Sequence, residues 1–170
     1  MNDAPLDLYI AGYADPTAAK ADFDALKKAQ RQGIVFIDGM VLVARDADGT
    51  LHVKESGDHD VFKGATIGVA GGLVVGLFAP PLLGAMVVGG VIGGLAGKLA
   101  KHHDEKGIAK DVEDVVPPGH SGVAAVFEEI WVDEVERQLA KADRKALKKA
   151  DKETADEVKK GLAQTKKQEL

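Results

Sequence analysis

The sequence predicts an α+β fold of the ferredoxin-like class, a four-stranded antiparallel sheet backed by two helices. Three observations support this expectation. Strand-like and helix-like patterns follow one another in the order β-α-β-β-α-β, an uncharged glycine-rich run interrupts that order after the third strand, and a charged stretch with a thin apolar stripe ends the chain. The expected parts are a sheet body over 1–131, a helical hairpin inserted at 63–101, and a long C-terminal helix over 132–170.

The first strand and helix are indicated by local signals. Leu6 to Tyr13 carries apolar side chains at alternate positions, which is typical of a strand. Asp15 followed by Pro16 is a common helix start, because the carboxylate can cap free backbone N–H groups and proline fits the first helical position. Gly33 is a natural stop for this helix.

The next two strands are expected to form a hairpin. Ile34 to Arg45 is apolar and rich in β-branched residues, Asp46 to Gly49 contains the Asp-Gly turn signal, and Thr50 to Glu55 alternates. After the glycine-rich run, Lys106 to Val116 predicts a short helix and Val123 to Trp131 a last strand.

The uncharged run from Gly64 to Gly97 has glycine at four-residue spacing in two successive blocks. Residues four apart share one helical face, and glycine there lets two helices approach closely. Because glycine costs about 1 kcal/mol relative to alanine inside a helix, these helices need a partner. The residues predicted to carry the contact are Gly64, Gly68, Gly72, Gly76, Gly89, Gly93 and Gly97, with Lys63 and Lys98 at the two ends.

Two environments fit this hairpin, a membrane or the core of a protein assembly. Pro80 and Pro81 divide the run into two stretches that would each rise about 24 Å as helices, short of the ~30 Å hydrocarbon core. A shallow or re-entrant hairpin is compatible with that length, and Lys63 and Lys98 could reach lipid head groups. Alternatively, hairpins from several subunits bury one another. A conducting pore is the least favoured arrangement, since Thr66 is the one polar residue inside the run.

The charge distribution bears on partners and location. The chain has a net charge of −5, and the excess of acidic residues before Val132 makes nucleic acid a poor partner. The charged C-terminal helix is a candidate surface for a protein partner. Asp3 and Asp7 fall where a signal peptide would be basic or apolar, which indicates a cytoplasmic protein or one at the cytoplasmic side of the inner membrane.

No residue pattern predicts catalysis or a cofactor. The chain lacks cysteine, and the Gly97-Lys98 pair lacks the rest of a phosphate-binding loop. His59, His102 and His103 lie among acidic residues at the two ends of the hairpin, where they are either solvated linker residues or ligands of a divalent metal.

The chain resembles a bacterial family called domain of unknown function 1269, whose members are often described as membrane or stress-related proteins. The resemblance spans about residues 6 to 140. It implies membrane association or self-assembly and brings no catalytic residues. His120 departs from the serine usual in the family after Pro-Gly. The resemblance is carried by Leu8 to Tyr13, Met40 to Val53, the run Gly64 to Gly97 with Leu82, Leu83 and Gly84, Gly107-Ile108, and Pro117 to Ser121.

The function expected from the sequence is non-enzymatic self-assembly. The glycine-rich hairpin would drive homo-oligomerisation and membrane association, in keeping with a role in stress or envelope response. The alternative is a soluble homo-oligomeric scaffold or regulatory binding module in which the hairpins are buried.

Overall fold

A mixed α+β arrangement is present in the computed structural model, which describes residues 5–49, 51–56, 87–88, 114–149 and 155–156. The helices of the sheet region are α1 (Pro16–Arg31) and α2 (Val132–Gln138), with one 3-10 turn (Glu129–Trp131) immediately before α2. The strands are β1 (Leu6–Tyr13), β2 (Gly39–Arg45), β3 (Leu51–Ser56), β4 (Val87–Val88), β5 (Ser121–Glu128) and β6 (Arg144–Lys149).

These strands form one sheet in the order β4-β3-β2-β5-β1-β6. β1 pairs antiparallel with β5 and β6, and β2 pairs antiparallel with β3 and β5. The two-residue strand β4 runs parallel to β3. Two registers fix the centre of the sheet: Gly12 lies opposite Gly122, and Val41 lies opposite Ala124.

The α+β class is confirmed, but the prediction of a ferredoxin-like sheet was wrong. In the ferredoxin-like fold and in this structure, α1 connects two parallel strands, β1 and β2, and another strand lies between them. Here that strand is β5, which pairs with both β1 and β2, whereas the ferredoxin-like pattern requires β3 there. The tight turn at Gly49 keeps β3 paired with β2. The turn does not determine on which side of β2 this strand lies, and here β3 lies on the side away from β5.

Helix α1 packs on one face of the sheet and supplies four of the sixteen described buried residues of the main core. Its start is as predicted: Asp15 caps the helix, with Oδ1 accepting a hydrogen bond of 2.8 Å from the Thr17 N–H. The buried residues of α1 include Phe23 and Leu26, which pack with aromatic and aliphatic side chains of β1, β2 and β5. Apolar burial of this kind is the main favourable contribution to folding.

The prediction of a long C-terminal helix was also wrong. Helix α2 ends at Gln138, and the following residues turn back so that Arg144–Lys149 pairs with β1 as strand β6. Two contacts hold the turn: the Asp143 N–H donates to the Gly12 carbonyl at 2.9 Å, and Asp143 Oδ2 accepts from the Ala14 N–H at 2.8 Å. Pairing with β1 satisfies backbone groups along its outer edge, which a helix in solvent would leave unpaired. The helical surface expected to meet a protein partner is therefore replaced, over these residues, by a sheet edge.

Most of the inserted hairpin lies outside the described residues. Val87 and Val88 are the described part of it, and they pair with Leu51 and His52 of β3. The prediction of a helix is thus wrong at these two positions. The domain boundaries expected from the sequence stay predictions.

Candidate functional site at the second face of the sheet

The residues predicted to carry self-assembly lie outside the described part of the chain. This holds for Gly64, Gly68, Gly72, Gly76, Gly89, Gly93 and Gly97, for Lys63 and Lys98, and for His59, His102 and His103. The structure describes the end of β3 at Ser56, the short strand Val87–Val88, and the chain again from Asp114. The candidate site is the part of the sheet that adjoins these described segments.

The face of the sheet turned away from α1 is apolar. Alternation along each strand places one set of side chains in the α1 core and the other set on this second face. Each side chain of the second set is at most 5% exposed: Leu6, Leu8, Ile10, Val41, Val43, Ala124 and Val126. The sheet is therefore buried on both sides, in contrast to the half-buried strand that the sequence predicted for Leu6 to Tyr13.

At one end of this face, two glycines make room for the returning chain. A Cβ atom on Gly12 would lie 1.8 Å from the Val115 carbonyl oxygen, and one on Gly122 would lie 2.8 Å from Val116 Cγ2. Val115 and Val116 are 5% and 1% exposed. The backbone of the returning segment thus lies directly on the sheet, and glycine at both positions is a requirement of that contact.

Arg45, at the end of β2, ties this returning segment to the β2–β3 turn. Its guanidinium donates to the Val116 carbonyl at 3.1 Å and to the Gly49 carbonyl at 3.2 Å. Its own N–H donates to the His120 carbonyl at 2.8 Å, and its carbonyl accepts from the Gly119 N–H at 2.9 Å. Three of these four hydrogen bonds hold the segment from Val116 to His120 on β2, and the fourth joins Arg45 to Gly49 in the β2–β3 turn.

The edge strand β3 contacts the middle of the glycine-rich run through the backbone of Val87 and Val88. Near this edge, His52 Nε2 and Asp46 Oδ2 are 2.6 Å apart. The described part of the run therefore meets the body at β3. No local signal in the sequence predicts that Val87 and Val88 pair with β3, because the glycine spacing around them is typical of a helix.

Asp7 is a buried carboxylate, and the sequence did not predict its burial. It is 1% exposed on β1, and neither of its side-chain oxygens has a hydrogen-bond donor within the described part of the chain. Burial raises the pKa of Asp7, the nearby Glu129 carboxylate raises it further, and Lys149, which lies opposite on β6, lowers it. Lys149 itself forms an ion pair with Glu129. This end of the sheet therefore holds a carboxyl group whose charged form is disfavoured.

A second buried carboxylate, Asp22 on α1, accepts hydrogen bonds from two other parts of the fold. Its Oδ2 accepts 2.9 Å hydrogen bonds from the Tyr13 hydroxyl and from the Lys141 N–H. The bonds join β1, α1 and the segment that follows α2. Burial and this hydrogen bond raise the pKa of Tyr13, so the phenol stays protonated and donates.

Neither a metal centre nor a membrane span is present in the described residues. Over 5–49, 51–56, 87–88, 114–149 and 155–156, no group of three or more histidine, cysteine, aspartate or glutamate side chains could hold a metal ion. Within those same ranges, no helix has both the length and the apolar character to cross a membrane.

Comparison with known families places the chain. A family model described as "Protein of unknown function (DUF1269)" matches residues 65–164. The chain belongs to the DUF1269 family. The match includes the glycine-rich run, β5, α2 and β6, and so extends further toward the C-terminus than the resemblance in the sequence indicated. Searches among curated proteins and among solved structures gave no match for this DUF1269 protein.

Proposed function

We propose that this DUF1269 protein is a non-enzymatic self-assembling protein. Its glycine-rich run, Gly64 to Gly97, drives homo-oligomerisation and associates with the cytoplasmic side of the inner membrane, in a stress or envelope role. The observation that carries the proposal is the repeated four-residue spacing of glycine in an uncharged run, since such helices are stabilised by close contact with another helix.

The attachment of the run to the body supports the self-assembly part of this proposal. Val87 and Val88 of the run pair with β3. Attachment to a folded body restricts the orientations in which copies of the run can meet, and it thereby lowers the entropic cost of assembly.

A second candidate function is a soluble homo-oligomeric scaffold or regulatory module with the run buried among subunits. The backbone pairing of Val87 and Val88 with β3 favours it, because residues held at a sheet edge are not available for insertion into lipid. In this alternative the same glycines pack protein against protein.

The test combines cell fractionation with determination of particle mass. Cells that express the intact chain are lysed and separated into soluble and membrane fractions, and the membranes are washed with high salt. Recovery with the washed membranes supports association through the apolar run. Recovery as a large soluble particle supports the scaffold, and a soluble monomer contradicts both.

Matched substitutions show whether the glycines carry the contact. The variant Gly72→Leu/Gly93→Leu adds bulk on the glycine faces, and Val74→Leu/Val91→Leu changes apolar residues off those faces. We expect the glycine variant to lose assembly and the valine variant to keep it. An unchanged particle mass in the glycine variant rules out the glycine contact.

A further inference from the structure

The loop between α1 and β2 exposes apolar side chains to solvent. Ile34 is 47% exposed and Phe36 is 53% exposed, while their neighbours Val35 and Ile37 are 2% and 5% exposed. The alternation shows that the loop has an inner side, packed in the core, and an outer side that is also apolar. Ile34 and Phe36 together therefore give this loop an exposed apolar surface.

Two cations adjoin these side chains. Lys28 and Arg31 lie in the last turn of α1 and are exposed, and the Ile34 N–H donates to the Ala29 carbonyl of that turn at 2.9 Å. Neither cation forms a hydrogen bond or an ion pair with the rest of the described chain. In a protein with a net charge of −5, this is a local positive surface. We call Lys28, Arg31, Ile34 and Phe36 the loop patch.

The loop patch lies at the end of the sheet where β3 ends at Ser56. Gly39, the first residue of β2, follows the loop, and Ser56, the last residue of β3, lies opposite Val41. The same end carries Ile130, which is 74% exposed, next to Glu129, whose N–H donates to the Pro5 carbonyl at 3.0 Å. Glu129 is already paired with Lys149, so its charge is compensated there.

We propose that the loop patch binds an anionic lipid surface and orients the body on the membrane. Exposed apolar side chains on a loop can enter the head-group region, and the adjoining cations are attracted to anionic lipids. The inference rests on the membrane part of the proposed function and adds a second contact outside the glycine-rich run.

The experiment measures binding of the intact chain to lipid vesicles by sedimentation. Vesicles of phosphatidylcholine alone are compared with vesicles that contain phosphatidylglycerol, at low and high salt. Ile34→Ser/Phe36→Ser removes the apolar contact, and Lys28→Glu/Arg31→Glu reverses the charge. Leu147→Ser is the matched control, since Leu147 is 41% exposed but lies on β6.

We expect wild type to prefer the anionic vesicles and to lose that preference at high salt. Each loop variant should bind the anionic vesicles about tenfold more weakly, with particle mass and thermal midpoint unchanged, and Leu147→Ser should bind like wild type. Loop variants that bind like wild type overturn the inference. So does a change in particle mass without a change in vesicle binding, which would assign the loop to a protein contact.

The outcome separates this inference from the proposed function. If Gly72→Leu/Gly93→Leu abolishes vesicle binding and the loop variants bind like wild type, the glycine-rich run accounts for membrane binding and the loop inference fails alone. If wild type assembles but binds neither kind of vesicle, both the loop inference and the membrane part of the proposed function fail, and self-assembly remains.

Discussion

The hydroxyl of Tyr13 donates a 2.9 Å hydrogen bond to Oδ2 of Asp22, and the same oxygen accepts from the Lys141 N–H at 2.9 Å. Tyr13 is the last residue of β1, Asp22 is on α1, and Lys141 leads into β6. One carboxylate oxygen therefore connects β1 and α1 to a segment more than a hundred residues later in the chain. Because Asp22 is 3% exposed, water cannot replace a bond that is lost.

The first prediction concerns this tie. Tyr13→Phe should lower the free energy of unfolding by about 1 to 2 kcal/mol, and Asp22→Ala by about 2 to 3 kcal/mol, because buried partners are left unpaired. Urea unfolding followed by circular dichroism measures both. Asp24→Asn is the control on the same helix. Asp24 pairs with Lys20 at the surface, so its loss should cost at most about 0.5 kcal/mol.

The second prediction uses the raised pKa of Asp7. Between the pKa of the unfolded chain and the higher pKa of the folded protein, the folded state holds more protons, so stability falls as pH rises through this window. Asp7→Asn removes the titrating group. We expect the free energy of unfolding of this variant to decrease less with rising pH, and to be about 1 kcal/mol higher than that of wild type at neutral pH.

Urea unfolding at a series of pH values from about 4 to 8 compares wild type, Asp7→Asn and the exposed-site control Asp133→Asn. The control should follow the wild-type pH dependence. Equal pH slopes for wild type and Asp7→Asn would show that folding does not change the pKa of Asp7, and would contradict the prediction.

The third prediction tests the contact between the returning segment and the sheet. Gly12→Ala should lower the free energy of unfolding by at least about 3 kcal/mol, since the added Cβ meets the Val115 carbonyl oxygen at 1.8 Å. Gly33→Ala is the matched control: Gly33 has φ +72° but nothing within 4 Å of the added atom. Its cost should be about 1 kcal/mol, from backbone strain alone. Similar losses for the two variants in thermal unfolding would contradict the close approach.

The fourth prediction tests whether Arg144–Lys149 is a strand. The natural chain has no cysteine, so Ile10→Cys/Ala146→Cys introduces a single pair at directly opposite positions. We expect a disulfide on mild oxidation, seen as a mobility shift without reductant, because opposite residues in a sheet are within disulfide reach.

The offset pair Leu8→Cys/Arg144→Cys is the control for register. Leu8 lies opposite Lys148, so the two cysteines would be separated by four residues along the strand, about 13 Å. Cross-linking of both pairs with equal yield would indicate a mobile segment, and cross-linking of neither would favour the helix predicted from the sequence.

The parts of the fold that local signals determine were predictable. The Asp15 cap, the buried face of α1 and the β2–β3 turn at Gly49 each depend on neighbouring residues. The side of β2 on which β3 lies depends on β5, which comes much later in the chain. No turn or periodicity encodes that choice.

Strand β6 was missed because its sequence has two compatible structures. Alanine and lysine favour helices, and the apolar stripe through Leu139 and Ala146 fits a helical period. The decisive interactions are with the unpaired edge of β1 and with the Gly12 carbonyl. Helix propensity is worth a few tenths of a kcal/mol per residue, so tertiary pairing overrides it. Similarly, the contact of Gly12 with Val115 depends on two segments that a linear pattern does not bring together.

The central position of β5 fixes the order of events during synthesis. β1 and β2 have no direct hydrogen bonds to each other and are joined through β5, so the middle of the sheet is completed only after residue 128 has left the ribosome. The whole uncharged run precedes that point in the chain. A nascent chain therefore presents its most apolar segment to chaperones, lipid or other nascent copies before its own body can fold.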